Sequence, residues 1–233
     1  MNTVRRRMAS LLLGAVLMGW TLACAASNAW EPVRQGNSRE DISTWVRSED
    51  GMAVKAFRGV TEVNQSTLNA LALLADIPNL SNWIFKCASA TVPSGYSADH
   101  TYARFNGVWP ASPRDVLFKT VVTQQADGVI VVDSRQVAGY PPADDHVRMP
   151  FLHNVFRLTP LKGGWTRVEF ETQIDLGGLV PTWLANLVST QAAEVTLSGM
   201  QREIGKARYK VRSVDDLPAY YFHGKTLTLP PDH

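Results

Sequence analysis

The chain has 233 residues, of which 45% are hydrophobic and 19% charged, and its formal net charge is +2. This length suits one domain with a single buried core. Residues 1–26 hold three of the 23 basic residues and none of the 21 acidic ones, so the rest of the chain is slightly acidic. This balance excludes the strongly basic class of chain that binds nucleic acid through a positive patch or stripe.

The N-terminus has the pattern of a secretory signal. Arg5, Arg6 and Arg7 precede an apolar run without charge over residues 8–23, and small residues follow it. This order of charge, apolar segment and small residues predicts a signal peptide over residues 1–26 and a periplasmic or secreted protein. The alternative is an uncleaved anchor, but the apolar run is short for a membrane span.

The two cysteines, Cys24 and Cys87, lie on either side of the expected cleavage site. Cleavage beyond Cys24 would leave one thiol, which excludes an intramolecular disulfide in the mature chain. In a second interpretation Cys24 is the lipidated first residue of a lipoprotein. The preceding Thr21-Leu22-Ala23 departs from the usual Leu-small-small sequence before such a cysteine.

Strand and helix signals alternate in the first part of the mature chain. Residues 45–48 and 52–63 predict two strands around a turn that contains Gly51. Ser66 or Thr67 can cap a helix over residues 68–74, where leucine and alanine dominate. The further segments are a short helical piece over residues 77–83 and strands over residues 85–92 and 100–105.

Two hairpins follow in the second part of the chain. One turn is Asp127-Gly128 and the other contains Gly163-Gly164, and both lie between runs rich in β-branched and aromatic residues. Hairpin connections imply an antiparallel sheet. The four predicted strands span residues 116–122, 129–137, 152–160 and 165–174.

The last predicted strand shows which kind of sheet this is. Val168, Phe170 and Ile174 alternate with polar residues, as in a strand with one buried face. A long helix near residues 182–207 is the element available to cover that face. The predicted class is therefore α+β, with the main domain over residues 27–207 and a tail over residues 208–233 that packs on the surface.

Four short motifs occur in a defined order and spacing. They are Trp109-Pro-Ala-Ser-Pro-Arg-Asp115, Val147-Arg148, Leu158-Thr-Pro160 and Gly177-Gly-Leu-Val-Pro-Thr-Trp-Leu-Ala-Asn186. Together they resemble START lipid-transfer domains, from about residue 42 to residue 204. The resemblance implies a helix-grip fold, in which a curved antiparallel β-sheet wraps around a long C-terminal α-helix and leaves an internal lipid tunnel between them.

The resemblance also implies where a ligand would lie. Sterol-binding members of the family place an acidic residue and an arginine inside the tunnel, and those positions correspond to Thr101 and Thr120 here. The charged pair is absent, although two hydroxyls can hydrogen-bond a lipid hydroxyl or ester. Asn154 lies near a polar strand position of phospholipid-binding members. The predicted tunnel residues are Thr101, Ala103, Phe105, Thr120, Asn154, Phe170, Thr172, Ile174, Trp183, Leu184, Leu187 and Val188.

A lipid that enters a closed tunnel requires a movable entrance. The loop over residues 139–146 and the two glycines before the last helix are the best candidates, because glycine permits backbone movements that other residues resist. The predicted gate residues are Tyr140, Pro141, Pro142, Gly177 and Gly178.

Other chemistries have less support. Arg114-Asp115 is explained either as a structural ion pair or as a ligand contact. Asp144-Asp145-His146 lacks the further spaced ligands that a metal site needs, so no metal or cofactor is predicted. A hydrolase would need Ser112 or Ser134 with His153 as base, but the sequence has no Gly-x-Ser-x-Gly nucleophile elbow.

The expected function is that of an exported lipid-binding or lipid-transfer protein. It would be a monomer that holds one hydrophobic ligand, such as a phospholipid, a sterol or a hopanoid-like lipid, and contacts a membrane surface transiently. Burial of an acyl chain or ring would drive binding. No catalytic residue, cofactor or nucleic-acid partner is expected. The alternative is a hydrolase or cyclase of the same fold that acts on a small hydrophobic substrate.

Overall fold

The computed structural model describes residues 29–217 and 227–229. These residues form one ten-stranded sheet that curves around a long helix. The predicted signal peptide, Cys24 and most of the tail beyond Leu217 lie outside the described residues. The fold nevertheless contains every predicted site and gate residue.

The strands follow a simple order across the sheet, β1-β2-β3-β10-β9-β7-β6-β5-β4, and neighbours on this path are antiparallel. The short β8 pairs with β6 in parallel. The strands are β1 Glu31–Arg34, β2 Ser43–Arg47, β3 Ala56–Val63, β4 Cys87–Thr91, β5 His100–Phe105, β6 Arg114–Gln124, β7 Ile130–Gln136, β8 Val147–Arg148, β9 Phe151–Leu161 and β10 Trp165–Asp175. The α-helices are α1 Thr67–Ala75 and α2 Thr182–Ile204, and 3₁₀ turns span Ile77–Asn82, Ala207–Tyr209 and Val214–Asp216.

Both predicted hairpins are confirmed. Gly128 lies in the β6–β7 turn and Gly163 in the β9–β10 turn, each with a positive φ that favours glycine. The sequence did not predict β1 as a strand, because this edge strand is exposed throughout and shows no alternation. β3 also begins at Ala56, four residues later than expected.

Helix α1 begins where its sequence predicts. The side chain of Ser66 accepts a hydrogen bond from the backbone N–H of Asn69, which satisfies one of the free donors of the first turn. Nearly every side chain of the helix is buried. The helix is therefore enclosed by its neighbours, and its Leu71 and Leu73 are completely shielded from solvent.

Helix α2 packs closely against the rest of the domain at two glycines. A Cβ atom at Gly59 on β3 would lie 2.7 Å from Cδ1 of Leu197 and 3.1 Å from Cβ of Ala193, so a larger residue there would require the buried Leu197 to move. On the helix itself, a Cβ atom at Gly199 would lie 2.4 Å from the carbonyl oxygen of Trp83. These contacts fix the position of the helix. It ends at Ile204, with Gly205 as its C-cap, three residues before the predicted end.

The described part of the predicted tail is packed against the domain. Tyr209, Leu217 and Leu227 are all buried and belong to the same apolar core as helix α2. The hydroxyl of Tyr209 donates to Asp76 at 2.8 Å, next to the end of α1. Tyr220, Tyr221 and Phe222, which the sequence suggests as packing residues, lie outside the described residues.

Candidate functional site

A cavity lies between the concave face of the sheet and helix α2. It encloses about 790 Å³ of space free of protein atoms, part of which is open to solvent. Most of the wall is apolar, with Phe57 and Phe170 from the sheet facing Leu184, Val188 and Ala192 of the helix. An apolar molecule can therefore be sheltered from water here.

The cavity brings together many of the predicted tunnel residues. The strands contribute side chains from β5, β9 and β10, and helix α2 contributes two from its first turns. Those in the wall are Phe105, Asn154, Phe170, Thr172, Ile174, Leu184 and Val188. Their contact with a ligand stays a prediction, because position alone does not show what occupies the space.

The remaining predicted tunnel residues lie outside the wall. Thr101 and Ala103 point inward from β5, but they are buried in the core, further along the strand from Phe105. Helix α2 exposes Trp183 to solvent and leaves Leu187 half-buried. Strand alternation correctly predicts the face on which each side chain lies, but it does not predict the distance of that side chain from the cavity. On β5 the cavity is reached only by Phe105, at the end of the strand.

Thr120 belongs to a polar row that crosses the inner face of the sheet. Its cross-strand neighbours are, in order, Ser134, Asn154 and Thr172. The hydroxyls of Thr120 and Ser134 are hydrogen-bonded at 2.8 Å, and the hydroxyl of Thr172 donates to Oδ1 of Asn154 at 2.9 Å. Asn154 and Thr172 lie in the cavity wall, whereas Thr120 and Ser134 do not. Of the four residues in this row, Asn154 and Thr172 therefore contribute polar groups to the cavity wall.

Arg114 is the buried charge of this wall. Its Nε donates to the backbone carbonyl of Leu176 at 3.4 Å, and its Nη1 donates to the carbonyl of Ser112. Burial lowers the pKa of Arg114. Within residues 29–217 and 227–229 no carboxylate lies within ion-pair distance of this guanidinium. The proposed Arg114–Asp115 ion pair is therefore wrong, because the two side chains lie on opposite faces of β6.

Asp115 is instead the centre of a network on the outer face. It accepts hydrogen bonds from Nε of Arg148 at 2.8 Å, from the hydroxyl of Tyr102 at 2.6 Å and from the backbone N–H of Ala143 at 2.8 Å. Burial favours a raised pKa for Asp115, but the hydrogen bonds from Arg148, Tyr102 and Ala143 outweigh it, so its pKa is lowered. Burial and the neighbouring Asp115 carboxylate raise the pKa of Tyr102 to about 12.

The same network contacts both predicted gate segments. Nη1 of Arg148 donates to the carbonyl of Tyr140 at 2.8 Å, and the Tyr140 ring packs on Tyr102 with their centroids 4.6 Å apart. Gly177 has a φ of +65°, and a Cβ atom there would lie 2.7 Å from the carbonyl oxygen of Arg148. Arg148 therefore joins the 139–146 loop to the segment before helix α2. The gate residues Tyr140, Pro141, Pro142, Gly177 and Gly178 border this network and lie outside the cavity wall.

The candidate catalytic and metal residues do not converge. Ser134 lies on the inner face of β7 and His153 on the outer face of β9, where its Nε2 lies 3.1 Å from Asp133. In the part of the chain that the structure describes, no three His, Cys, Asp or Glu side chains form a group that could hold a metal ion. Nδ1 of His146 lies 2.6 Å from Oδ1 of the neighbouring Asp145.

Sequence reasoning missed two features near the cavity. Trp109 is 90% exposed and Leu179 is 96% exposed, and each lies within three residues of a wall residue, Val108 or Leu176. Both lie in connecting segments, so no periodic pattern signals their exposure. Among the described helices, none is long and apolar enough to cross a membrane.

Comparison with known proteins gives consistent matches. A model of the START domain matches residues 18–202. An uncharacterized protein of Pseudomonas aeruginosa is 28% identical over 196 residues, which cover 83% of this chain and 97% of that protein. This pair of sequences is similar over nearly the whole described domain.

Two solved structures show the same architecture. A STAR-related lipid transfer protein fragment from Xanthomonas axonopodis superposes with a TM-score of 0.67 at 22% identity, covering 76% of this chain and 99% of that one. The human StAR-related lipid transfer protein 5 gives a TM-score of 0.63 at 18% identity, covering 78% and 87%. At these identities the similarity shows the fold alone, and it confirms the helix-grip prediction.

Proposed function

The chain belongs to the START domain family, and on this premise we propose that it binds and transfers a single lipid held between the sheet and helix α2. The observation that carries the proposal is the cavity between the sheet and helix α2 with its largely apolar wall. Apolar surface removed from water contributes about 25 cal/mol per Å², so a buried acyl chain or ring would drive binding. Asn154 and the other polar wall residues would orient the ligand.

The rival proposal is a hydrolase or cyclase with the same fold. It has no support from the side-chain arrangement, because a Ser134–His153 pair would have to act through the sheet. Ser112 lies in the cavity wall, but its neighbour there is the Arg114 guanidinium, which cannot act as a general base. We therefore propose a carrier without catalytic residues.

Transfer requires contact with a membrane, and we propose that the exposed apolar side chains of Trp109, Leu179 and Trp183 form a patch that makes this contact. Leu179 and Trp109 are almost fully exposed, and Trp183 is 47% exposed. Tryptophan favours the membrane–water interface, and exposed apolar side chains near one opening are typical of such a contact surface. Trp109 directly follows the wall residue Val108 in the chain, and Trp183 directly precedes the wall residue Leu184, so the proposed patch would lie close to the cavity.

We further propose that the protein acts outside the cytoplasm as a monomer after removal of residues 1–26. The support is the order of three arginines, an apolar run and small residues at the N-terminus. Intact-mass measurement of the exported protein tests this directly. A mature chain without a lipid adduct is expected, whereas an acylated N-terminal Cys24 would replace the proposal with a membrane-tethered carrier.

The lipid-binding proposal is tested by native mass spectrometry of protein purified from its own compartment, followed by extraction and identification of bound lipid. A discrete added mass is expected in the wild type. Leu184→Trp would fill the cavity from helix α2 and should remove this mass. Val195→Trp places the same side chain on the exposed face of the helix and should keep it. A wild type that carries no lipid and takes none from vesicles would contradict the proposal.

A further inference from the structure

Arg114 is a charged side chain in the cavity wall that is only 6% exposed. Its partners are the carbonyl oxygens of Ser112 and Leu176, which accept hydrogen bonds but carry no net charge. Arginine stays protonated in proteins, and a charge removed from water is costly unless an opposite charge compensates it. The nearest acidic residue in the chain, Asp115, is occupied by Arg148 on the other face of β6.

The rest of the wall does not compensate this charge. The lining residues include a second cation, Lys86, and no aspartate or glutamate. Lys86 is exposed and forms no ion pair within the described residues. Its backbone has a φ of +56°, a left-handed conformation that is uncommon for a residue with a side chain and occurs often at functional sites. The cavity therefore has two positive groups, one buried and one exposed.

The apolar and charged parts of the wall are separated. Arg114 lies beside Phe105 in the β5–β6 ladder and contacts Ser112 and Leu176, whereas Phe57 and Phe170 lie towards the middle of the sheet under helix α2. A molecule with one anionic end and an apolar body would match both parts. A neutral lipid would fill the apolar part and leave the Arg114 charge uncompensated.

We propose that the ligand of this cavity has an acidic head group, a carboxylate or a phosphate, that pairs with the guanidinium of Arg114. Lys86 at the edge of the cavity adds a second positive charge. This inference rests on the proposed lipid binding and names the chemical class of the lipid. It disfavours an uncharged sterol or alcohol as the principal ligand.

The test uses the delipidated mature chain and three probes with the same apolar tail: dodecanoic acid, dodecyl phosphate and dodecanol. Affinities are measured by displacement of a fluorescent lipid at pH 8. A charge-assisted pair predicts that the wild type binds at least one anionic probe about tenfold more tightly than dodecanol. The tighter of the two anionic probes identifies a carboxylate or a phosphate as the preferred head group.

The Arg114 variants separate head-group binding from a structural role. Arg114→Met should lose the preference for the anionic probe and keep the wild-type affinity for dodecanol, and Arg114→Lys should keep part of the preference because the charge remains. Lys86→Met, at an exposed site, should reduce the preference only about two- to threefold. Equal weakening of all three probes by Arg114→Met would assign Arg114 to fixing Ser112 and Leu176 and would overturn the inference.

Two outcomes distinguish this inference from the proposed function. If the wild type binds all three probes equally, lipid binding stands and the acidic head group is wrong. If it binds none of them but carries a lipid or takes one from vesicles, the inference alone fails, and if it also carries and takes up none, both fail. Should Arg114→Met not fold, the ionic-strength dependence of the wild type decides the question, because affinity for the anionic probes must fall with added salt while affinity for dodecanol does not. Parallel behaviour of all probes would overturn the inference.

Discussion

The side chains of Arg114 and Asp115 leave strand β6 on opposite faces, although they are neighbours in the chain. Arg114 lines the cavity under helix α2, and Asp115 binds Arg148 on the outer face with an Nε–Oδ1 distance of 2.8 Å. Adjacent residues of a strand always point to opposite sides, so they cannot form the ion pair that their charges suggest. Arg148, 33 residues further along the chain, is the partner of Asp115.

Asp115→Asn should destabilise the protein by about 2 kcal/mol or more, because it leaves the partly buried Arg148 without its carboxylate and weakens the contacts to Tyr102 and Ala143. Urea unfolding at pH 7 measures the change. Asp133→Asn is the control, because Asp133 is more exposed than Asp115, with Arg135 and His153 as its partners on the outer face, and should change stability by about 1 kcal/mol or less. Equal effects of the two variants would contradict the role assigned to the Asp115 network.

The wild type and the Asp115→Asn variant should also differ in how their stability depends on pH. The pKa of Asp115 is lowered from its ordinary value of 3.8, so its contribution to stability is fully present above that value. As the pH falls below 3.8 and passes through the lowered pKa, the folded carboxylate is protonated and the contribution is lost. The difference in unfolding free energy between wild type and Asp115→Asn should therefore shrink from about pH 4 downward. A constant difference down to about pH 2 would refute this origin.

The thiol of Cys87 should be unreactive in the folded protein. Burial raises its pKa to about 11, so only about one molecule in a thousand carries the thiolate at pH 8. An aromatic disulfide reagent should label the mature chain slowly until denaturant is added. As a control, Ala88→Cys in a Cys87→Ala background places the thiol at the exposed neighbouring position and should react rapidly. Similar rates for the two proteins in the folded state would show that β4 opens readily.

The sequence predicts the parts of this molecule that depend on near neighbours. Turn glycines such as Gly128 and Gly163 and the alternation of β10 predict hairpins, and the same alternation places Phe170 on the cavity side. Alternation does not predict how far along a strand the cavity extends. Thr101 is an example, because it points inward as predicted but lies outside the wall. That limit is set by helix α2, whose approach to the sheet depends on contacts between residues distant in the chain.

The uncompensated charge of Arg114 in the cavity wall could likewise be recognised only from the three-dimensional structure. Whether Arg114 has a partner depends on Arg148 occupying Asp115 and on the absence of acidic residues from the described wall. The sequence, in which Arg114 and Asp115 are neighbours, suggests instead that these two residues pair with each other. Exposure of Leu179 and Trp109 likewise follows from loop paths, for which no sequence period exists.

Gly199→Ala should destabilise the protein by about 1–3 kcal/mol, although alanine is the better helix former. The added Cβ would lie 2.4 Å from the carbonyl oxygen of Trp83 and 2.8 Å from its Cα, which are backbone atoms that cannot rotate away. Gly205→Ala is the matched control, because its nearest contact, the Gln65 side chain, is 3.9 Å away. It should leave stability unchanged or raise it by about 0.5 kcal/mol. Thermal unfolding compares both with the wild type, and a more stable Gly199→Ala would mean that helix α2 can shift.

The last prediction concerns the patch of Trp109, Leu179 and Trp183. Trp109→Ala combined with Leu179→Ser removes two almost fully exposed apolar side chains next to the cavity. Each side chain buried in a membrane contributes about 1.5–3 kcal/mol, so the double variant should transfer a fluorescent lipid between vesicles at least tenfold more slowly. Its affinity for lipid already in the cavity should not change, because neither residue belongs to the wall.

The control for this patch is Val121→Ser, which removes a partly exposed apolar side chain from the outer face of β6, away from the cavity wall. Transfer by this variant should equal that of the wild type. Vesicle co-sedimentation of the three proteins locates the defect, since only the double variant should remain unbound. If the double variant binds vesicles and transfers lipid as fast as the Val121→Ser protein, the membrane contact must involve a different surface, and the Arg114 end of the cavity would need another route to the bilayer.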